Sequence, residues 1–414
     1  MSFLGPTILP PKIPDVFLSG NGHTGLWEHA EDKRGKFPLD QKQLLKKNYA
    51  EYNAVRLPKD RSVVCHAPFV SMNFEQSGKV TACCYNRTHV IGNYPENSID
   101  QMWRSSQMEE LRSALENLDF SKGCEKCADH LLTKNYYSPL MKNFDKLPVN
   151  GREAAKLGPS ILEFELSNAC NLECIMCNGH FSSSIRRNRE KLPALQFPWD
   201  QAFVEQLRPY WKNVEWAKFL GGEPFLNPLY FDIWDQIAEE NPKVKVVITT
   251  NATVLNDKVK RMLERVKPML VLSIDSMEKK TYESIRVNAK FDDTMAHLQY
   301  FLSYARLHER TIDVVVCPMQ NNWQDLPAIF KWGVENIVQV SFNTVHYPLE
   351  LALMNASQDT LLRAVDLYRN SKIPDINDLY KNPSEWAKIV STNNRNRFTS
   401  LIEQIEHWAQ AKQA

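Results

Sequence analysis

ILEFELSNACNLECIMCNG, residues 161–179, is the stretch from which the rest of the chain can be read. Residues 161–166 have the composition of a strand, and the strand runs straight into a loop holding Cys170, Cys174 and Cys177 as C-x3-C-x2-C. Soft thiolates at this spacing suit an iron–sulfur cluster, or a zinc site completed by His180. Three thiolates on a four-iron cube leave one iron open to a non-protein ligand, much as catalytic zinc sites keep one position free.

Further strand signals follow at 217–220, 244–249, 269–274, 312–317 and 337–342, separated by helical patterns at 227–240, 257–266, 278–285, 293–308 and 326–334. Asn227 and Pro228 suit the cap and first position of their helix. Alternating strands and helices predict parallel βαβ units. Six strands fall short of a closed eight-stranded barrel, so the expected fold class is α/β, a partial (β/α)6 TIM-like barrel over 156–348. Barrels place their chemistry at the C-terminal ends of their strands. Those ends carry Gly221-Gly222-Glu223-Pro224, then Thr249-Thr250-Asn251, then Ser273-Ile274-Asp275-Ser276, then Cys317, and finally Asn343, His346 and Tyr347. Glycines let backbone approach a ligand, and Glu223 offers a carboxylate to an ammonium group. A plain strand-to-helix turn is the alternative for the glycine motif. Short polar side chains at the next two ends suit sugar hydroxyls. The segment 184–189, SIRRNR, reads as a solvated basic helix face or a contact for an anionic substrate.

Upstream, 61–150 reads as a small α+β unit with Cys65, adjacent Cys83 and Cys84, and Cys124 and Cys127 as C-x2-C. Gly78 would turn a hairpin that brings Cys65 and Cys83 together. Cys65, Cys83, Cys124 and Cys127 supply four thiolates, enough to close a [4Fe–4S] site, with Cys84 as the alternative to Cys83. A zinc ribbon is the competing reading. Residues 1–60 form a Pro- and charge-rich extension with one helix at 41–53, and 143–158 reads as a linker. Residues 349–414 form a helical C-terminal region, with Trp386, Ile389, Leu401, Ile402, Ile405 and Trp408 as its apolar contacts.

The 414 residues hold 50 Lys plus Arg against 49 Asp plus Glu, a net charge of +1. That balance gives no overall pull toward nucleic acid or an anionic membrane. No apolar run approaches a bilayer span, and the apolar start is broken by prolines at 6, 10, 11 and 14. The expectation is a soluble, cytoplasmic protein, in which nine clustered cysteines bind metal rather than form disulfides.

The cysteine trio, followed in order by Gly221-Gly222-Glu223-Pro224 and the polar strand ends, resembles the radical S-adenosylmethionine (radical SAM) superfamily. The resemblance implies a [4Fe–4S] cluster on Cys170, Cys174 and Cys177 whose open iron binds SAM. It implies a SAM pocket drawn from Gly221, Gly222, Glu223, Pro224, Thr250, Asn251, Ser273 and Asp275, with Arg286 reaching the SAM carboxylate. A solvated helix-end charge is the other reading of Arg286. Met176 stands where the family commonly has an aromatic residue. The five N-terminal cysteines, with Ile91-Gly92-Asn93 and 98–103 between them, resemble a SPASM/Twitch auxiliary-cluster domain, placed here before the barrel and not after it. With four ligands it is nearer Twitch. The implied cofactors are SAM and two [4Fe–4S] clusters, with an electron donor such as flavodoxin or ferredoxin. The implied activity is cleavage of SAM to a 5′-deoxyadenosyl radical that abstracts hydrogen from a substrate. The substrate is a peptide or protein, as for peptide maturases; the alternatives are a sugar or small metabolite undergoing epimerisation or dehydrogenation, and a non-catalytic metal-binding protein. Cys317 reads as a small core residue, or as the hydrogen-atom donor that resembles those of radical SAM epimerases.

Overall fold

In strand β4 of the computed structural model, Ile161–Glu165, all five residues are buried, and the alternation in ILEFE sorts them by face. The structure describes residues 39–132, 140–145 and 151–412. In chain order the strands are β1 (Ser71–Glu75), β2 (Lys79–Thr81), β3 (Gly92–Asn93), β4, β5 (Trp216–Phe219), β6 (Lys245–Thr250), β7 (Met269–Ser273), β8 (Ile312–Val316) and β9 (Gln339–Phe342). They form one open sheet in the order β3-β2-β1-β4-β5-β6-β7-β8-β9. From β4 to β9 every pairing is parallel, which is the expected run of six strands, and the barrel does not close.

On the outer face, Phe74, Phe164 and Phe219 share one register and stack across β1, β4 and β5, with ring centroids 5.3 and 4.9 Å apart. The helices Gln201–Leu207 and Pro228–Glu240 cover that face, Phe203 and Trp234 meeting the stack edge-on. Asn227 caps the second helix by accepting from Leu229 N, with Pro228 following, as its sequence predicts. Tyr230 on that helix ties the strand ends together. Its hydroxyl lies 2.7 Å from Leu220 O and accepts from Leu166 N at 2.9 Å, where both motif loops begin.

The opposite residues of the same strands, Glu163, Glu165 and Lys218, are buried inside the half-barrel. Charged groups survive there only because they are paired.

The N-terminal cysteine segment is hydrogen-bonded into this same sheet, since β1 runs parallel to β4 along its whole length. Gly78, at φ +90°, turns β1 into β2 as predicted. The predicted helix at 41–53 spans Leu39–Ala54, and Asn48 donates to Leu131 O across 2.8 Å. Part of the expected linker is ordered: its start is buried, and the helix that follows has no buried residue. It contains the 3-10 turn Leu140–Phe144 and the helix Gly151–Leu157, and Asp145 forms a buried ion pair with Arg56 at 2.6 Å. The first 38 residues of the predicted extension lie outside the described residues.

The C-terminal region is helical. Leu401 and Ile405 are buried, but Ile389 is exposed, because it sits on the outer face of the 27-residue helix Glu385–Ala411. That helix seals an open edge of the sheet. Asn394, fully buried, accepts from Val340 N and donates to Val338 O, both at 2.8 Å, and Arg397 donates to Val340 O at 2.9 Å. These side chains replace the neighbour that β9 lacks.

Candidate active site

Parallel strands bring every predicted motif loop to one end of the sheet. A cavity of about 260 Å³ opens there, lined by Cys170, Cys174, Cys177, Gly221, Gly222, Thr250, Asn251, Ser273, Arg286 and Cys317, among others. A Cβ on Gly222, at φ +53°, would collide with the backbone of Asn168 and Ala169, so only glycine lets the β5 loop lie against the cysteine loop. Glu223 N donates to Ala169 O at 2.7 Å and locks that approach.

The three thiols repel ionisation together. Burial, and then Cys174, push the Cys170 thiol up to about 11, and burial followed by Cys174 and Cys170 raises Cys177 further. A metal centre that replaces their protons relieves this penalty. Three N–H donors already face sulfur: Leu172 N lies 3.5 Å and Asn251 Nδ2 3.9 Å from Cys170 Sγ, and Arg286 Nη1 lies 3.9 Å from Cys174 Sγ. Among the described residues no three His, Cys, Asp or Glu side chains converge tightly enough to hold a single metal ion. His180, the expected completing ligand of a zinc site, does not line the cavity. Soft thiols around a void, with donors aimed at sulfur, fit an iron–sulfur cube.

Three residues expected at the ligand stand behind the cavity wall. Glu223 is fully buried and accepts from Phe225 N, Thr250 Oγ1 and Asn251 N at 3.1, 2.8 and 2.7 Å, joining the ends of β5 and β6. Burial raises its carboxyl to about 7 against the pull of those donors. Pro224 is buried beside it. Asp275, fully buried, holds Arg286 Nε at 2.6 Å and accepts from Cys317 N at 2.8 Å. Arg286 is therefore a buried, anchored cation and not a solvated helix end.

Sequence reading missed Asn322, which donates to Asp275 O at 2.8 Å and to Cys317 O at 3.0 Å and so fixes the β7 and β8 loops. It also missed Glu165, which lines the cavity, although the acidic alternation in ILEFE was visible. Asn343, His346 and Tyr347 do line the cavity, and Asn343 Nδ2 is buried there with no hydrogen-bond partner.

Cys65, Cys83, Cys124 and Cys127 line a second, smaller cavity of about 20 Å³, walled by Leu111, Leu115, Phe120, Met141 and Phe144. Cys84 turns the other way: its Sγ lies 3.8 Å from Glu163 Oε1 and its N donates to Glu163 Oε2 at 3.2 Å. The chain turns here, Asn86 N donating to Cys83 O at 3.3 Å, and the turn carries Cys84 to Glu163 while Cys83 stays on the small cavity.

With this geometry in view, comparison with known proteins becomes specific. Residues 164–333 match the radical SAM superfamily, and residues 65–128 match SPASM, an iron–sulfur cluster-binding domain. The chain carries a radical SAM domain and a SPASM domain. It is a radical SAM enzyme with an auxiliary-cluster domain, and its cofactors are SAM and [4Fe–4S] clusters. Curated relatives include the AdoMet-dependent heme synthase of Methanosarcina barkeri, 28% identical over 145 residues, covering 34% of this chain and 38% of that protein. The GTP 3′,8-cyclase of Chlorobaculum tepidum is 23% identical over 178 residues, covering 43% and 51%. The chain thus spans between about two fifths and half of these relatives. Among solved structures, Streptococcus suis SuiB bound to S-adenosylmethionine is 18% identical, with a TM-score of 0.37 over 53% of this chain and 48% of that one. The AdoMet-bound anSMEcpe is 16% identical, with a TM-score of 0.38 over 50% and 58%. No helix among the described residues is long and apolar enough to cross a membrane.

Proposed function

We propose that the large cavity is the catalytic site, with Cys170, Cys174 and Cys177 holding the SAM-binding cluster and Cys65, Cys83, Cys124 and Cys127 holding the auxiliary one. The observation that carries this reading is the pairing of three thiols with a cavity of about 260 Å³ that has room for a ligand, against four thiols around one of about 20 Å³. When bound, the reduced cluster and SAM supply a 5′-deoxyadenosyl radical that abstracts hydrogen from a substrate C–H bond.

The chain's own residues then have assignable tasks. Gly221 and Gly222 bring bare backbone to the ligand's amino group. Arg286, held by Asp275, offers the cation for the SAM carboxylate. Thr250, Asn251 and Ser273 face the ligand's hydroxyls. Glu223 and Asp275 act as positioning residues through Asn251 and Arg286. Asn343 supplies a donor without a protein partner. Met176 lines the apolar side. Cys317 presents a thiol to the cavity, placed to return a hydrogen atom to a substrate radical.

The substrate we favour is a peptide or protein. Tyr347 on the cavity rim is 56% exposed and its neighbour Leu349 is 60% exposed, giving a long side chain apolar ground on which to lie. A second reading, modification of a sugar or small metabolite, is favoured by the relatives named for heme synthesis and GTP cyclisation. An external donor of the flavodoxin or ferredoxin kind supplies the electron.

The test is 5′-deoxyadenosine release from anaerobically reconstituted protein given SAM, dithionite and size-fractionated cell extract. Release that requires the trio and rises with the peptide fraction supports the first substrate class; a rise with the small-molecule fraction supports the second. Release equal to that of a Cys170/Cys174/Cys177→Ala variant would sink the catalytic reading.

A further inference from the structure

A buried ion pair outside both sets of cysteines joins the elements that carry the two cavities. Arg87 Nη1 and Nη2 donate to the two oxygens of Glu165 at 2.8 and 3.1 Å, a bidentate fork. Both side chains are under one tenth exposed. The third donor, Arg87 Nε, reaches Cys84 O at 3.0 Å. Cys84 follows Cys83, which lines the small cavity, while Glu165 lines the large one. One peptide unit, one hydrogen bond, a guanidinium and two more hydrogen bonds therefore connect the walls of the two sites.

The loop is fastened to β4 twice. Cys84 N donates to Glu163 at 3.2 Å, two residues before Glu165 on the same inner face, and Lys218 stands 3.9 Å from Glu163. A third carboxylate, Glu75, lies 3.8 Å from Arg87, and its Oε1 is buried without a hydrogen-bond partner. Three carboxylates thus share two cations. Stability alone does not explain this arrangement, because apolar residues of similar size fill such a space at no greater cost. A rigid guanidinium fork does transmit position, which a flexible apolar contact would not.

We propose that Arg87 and Glu165 are positioning residues that couple the two sites. Ligation at Cys83 fixes the loop, the loop fixes Arg87, and Arg87 fixes the Glu165 carboxylate in the wall of the SAM cavity. SAM affinity then depends on the auxiliary cluster, and by linkage the auxiliary cluster depends on SAM. The inference rests on the proposed assignment of the two cavities.

A double-variant cycle tests it, with SAM itself as the probe in anaerobic equilibrium dialysis of the full reconstituted chain. Cys124→Ala/Cys127→Ala removes two thiols of the small cavity and leaves Cys83, from which the proposed bridge starts, in place. In an otherwise wild-type background it is expected to weaken SAM binding about fivefold or more. In the Arg87→Gln or Glu165→Gln background, SAM binding starts weakened, and removing the two thiols changes it by less than about twofold. Glu165→Gln keeps the side chain's size and cancels only its charge, so it carries the test should Arg87→Gln not fold. Effects that add independently would overturn the bridge, as would wild-type affinity indifferent to the auxiliary thiols. Undetectable SAM binding by the wild type would overturn the underlying assignment instead.

Discussion

The two cysteine sites differ in the space they enclose more than in the thiols they offer. The four-thiol cavity measures about 20 Å³ and is walled largely by leucine, methionine and phenylalanine, with Asn86 and Lys126 beside them. The three-thiol cavity measures about 260 Å³, and its wall sets glycine backbone, hydroxyls, amides and an arginine among apolar side chains such as Leu172, Met176 and Phe181. A site that spends all its ligand positions on protein needs no room for anything else. A site that leaves one position open needs a void beside it and polar groups to fill that void with a chosen partner. Ligand number and cavity shape thus point the same way in each half of the molecule.

The sharpest way to break this comparison is to remove one thiol at a time and count iron. Cys174→Ala is expected to abolish 5′-deoxyadenosine formation while the auxiliary iron remains. Cys83→Ala is expected to remove the auxiliary iron, whereas Cys84→Ala leaves it in place. Equal iron loss from the Cys83 and Cys84 variants would erase the distinction that their opposite orientations draw.

A smaller effect comes from the anchored cation of the open site. Arg286→Ala leaves Asp275 buried without its cation. It should destabilise cluster-free protein by about 3–5 kcal/mol in denaturant unfolding, a size typical of broken buried pairs. A loss near zero would mean that water reaches Asp275.

Next comes a pH signature. The Glu223 carboxyl is raised from 4.5 to about 7. A raised acid is neutral in both states at low pH. As pH climbs from 4.5 to about 7, the unfolded chain ionises first and the folded state loses relative stability. Glu223→Gln removes this effect. In cluster-free protein the variant should therefore gain on the wild type across that window, by up to about 3 kcal/mol, and the difference should level off above it. A pH-independent difference would show that Glu223 is not held near neutral pH.

Cys317→Ala should have the mildest effect on the protein itself. SAM cleavage is expected to persist while the product changes or stalls. Unchanged product would return Cys317 to the role of a small core residue.

Much of the open site was legible because local rules decide it. Asn227-Pro228 starts a helix, Gly78 turns a hairpin, and runs such as 312–316 and 269–273 have the composition of buried strands. The cysteine spacings and the glycine pair needed no tertiary information. What escaped the sequence is long-range. Strands of five, three and two residues carry too little periodicity to show that β1, β2 and β3 extend the main sheet. Arg87 and Glu165 are 78 positions apart, and only the fold brings them together. Glu223 and Asp275 sit in the right motifs, but their backbones turn the carboxylates behind the wall, where they hold other ligand-facing groups. Ile389 reads as a contact because it is apolar, yet a 27-residue helix also has an outer face.

Electron paramagnetic resonance of the reduced, reconstituted protein, with and without SAM, tests the division between the sites most directly. The account predicts two cluster signals, only one of which changes when SAM is added. That SAM-sensitive signal should vanish in the Cys170/Cys174/Cys177→Ala variant, while the other stays. A SAM-sensitive signal that survives the loss of this trio, or one that disappears with Cys124 and Cys127 instead, would contradict it.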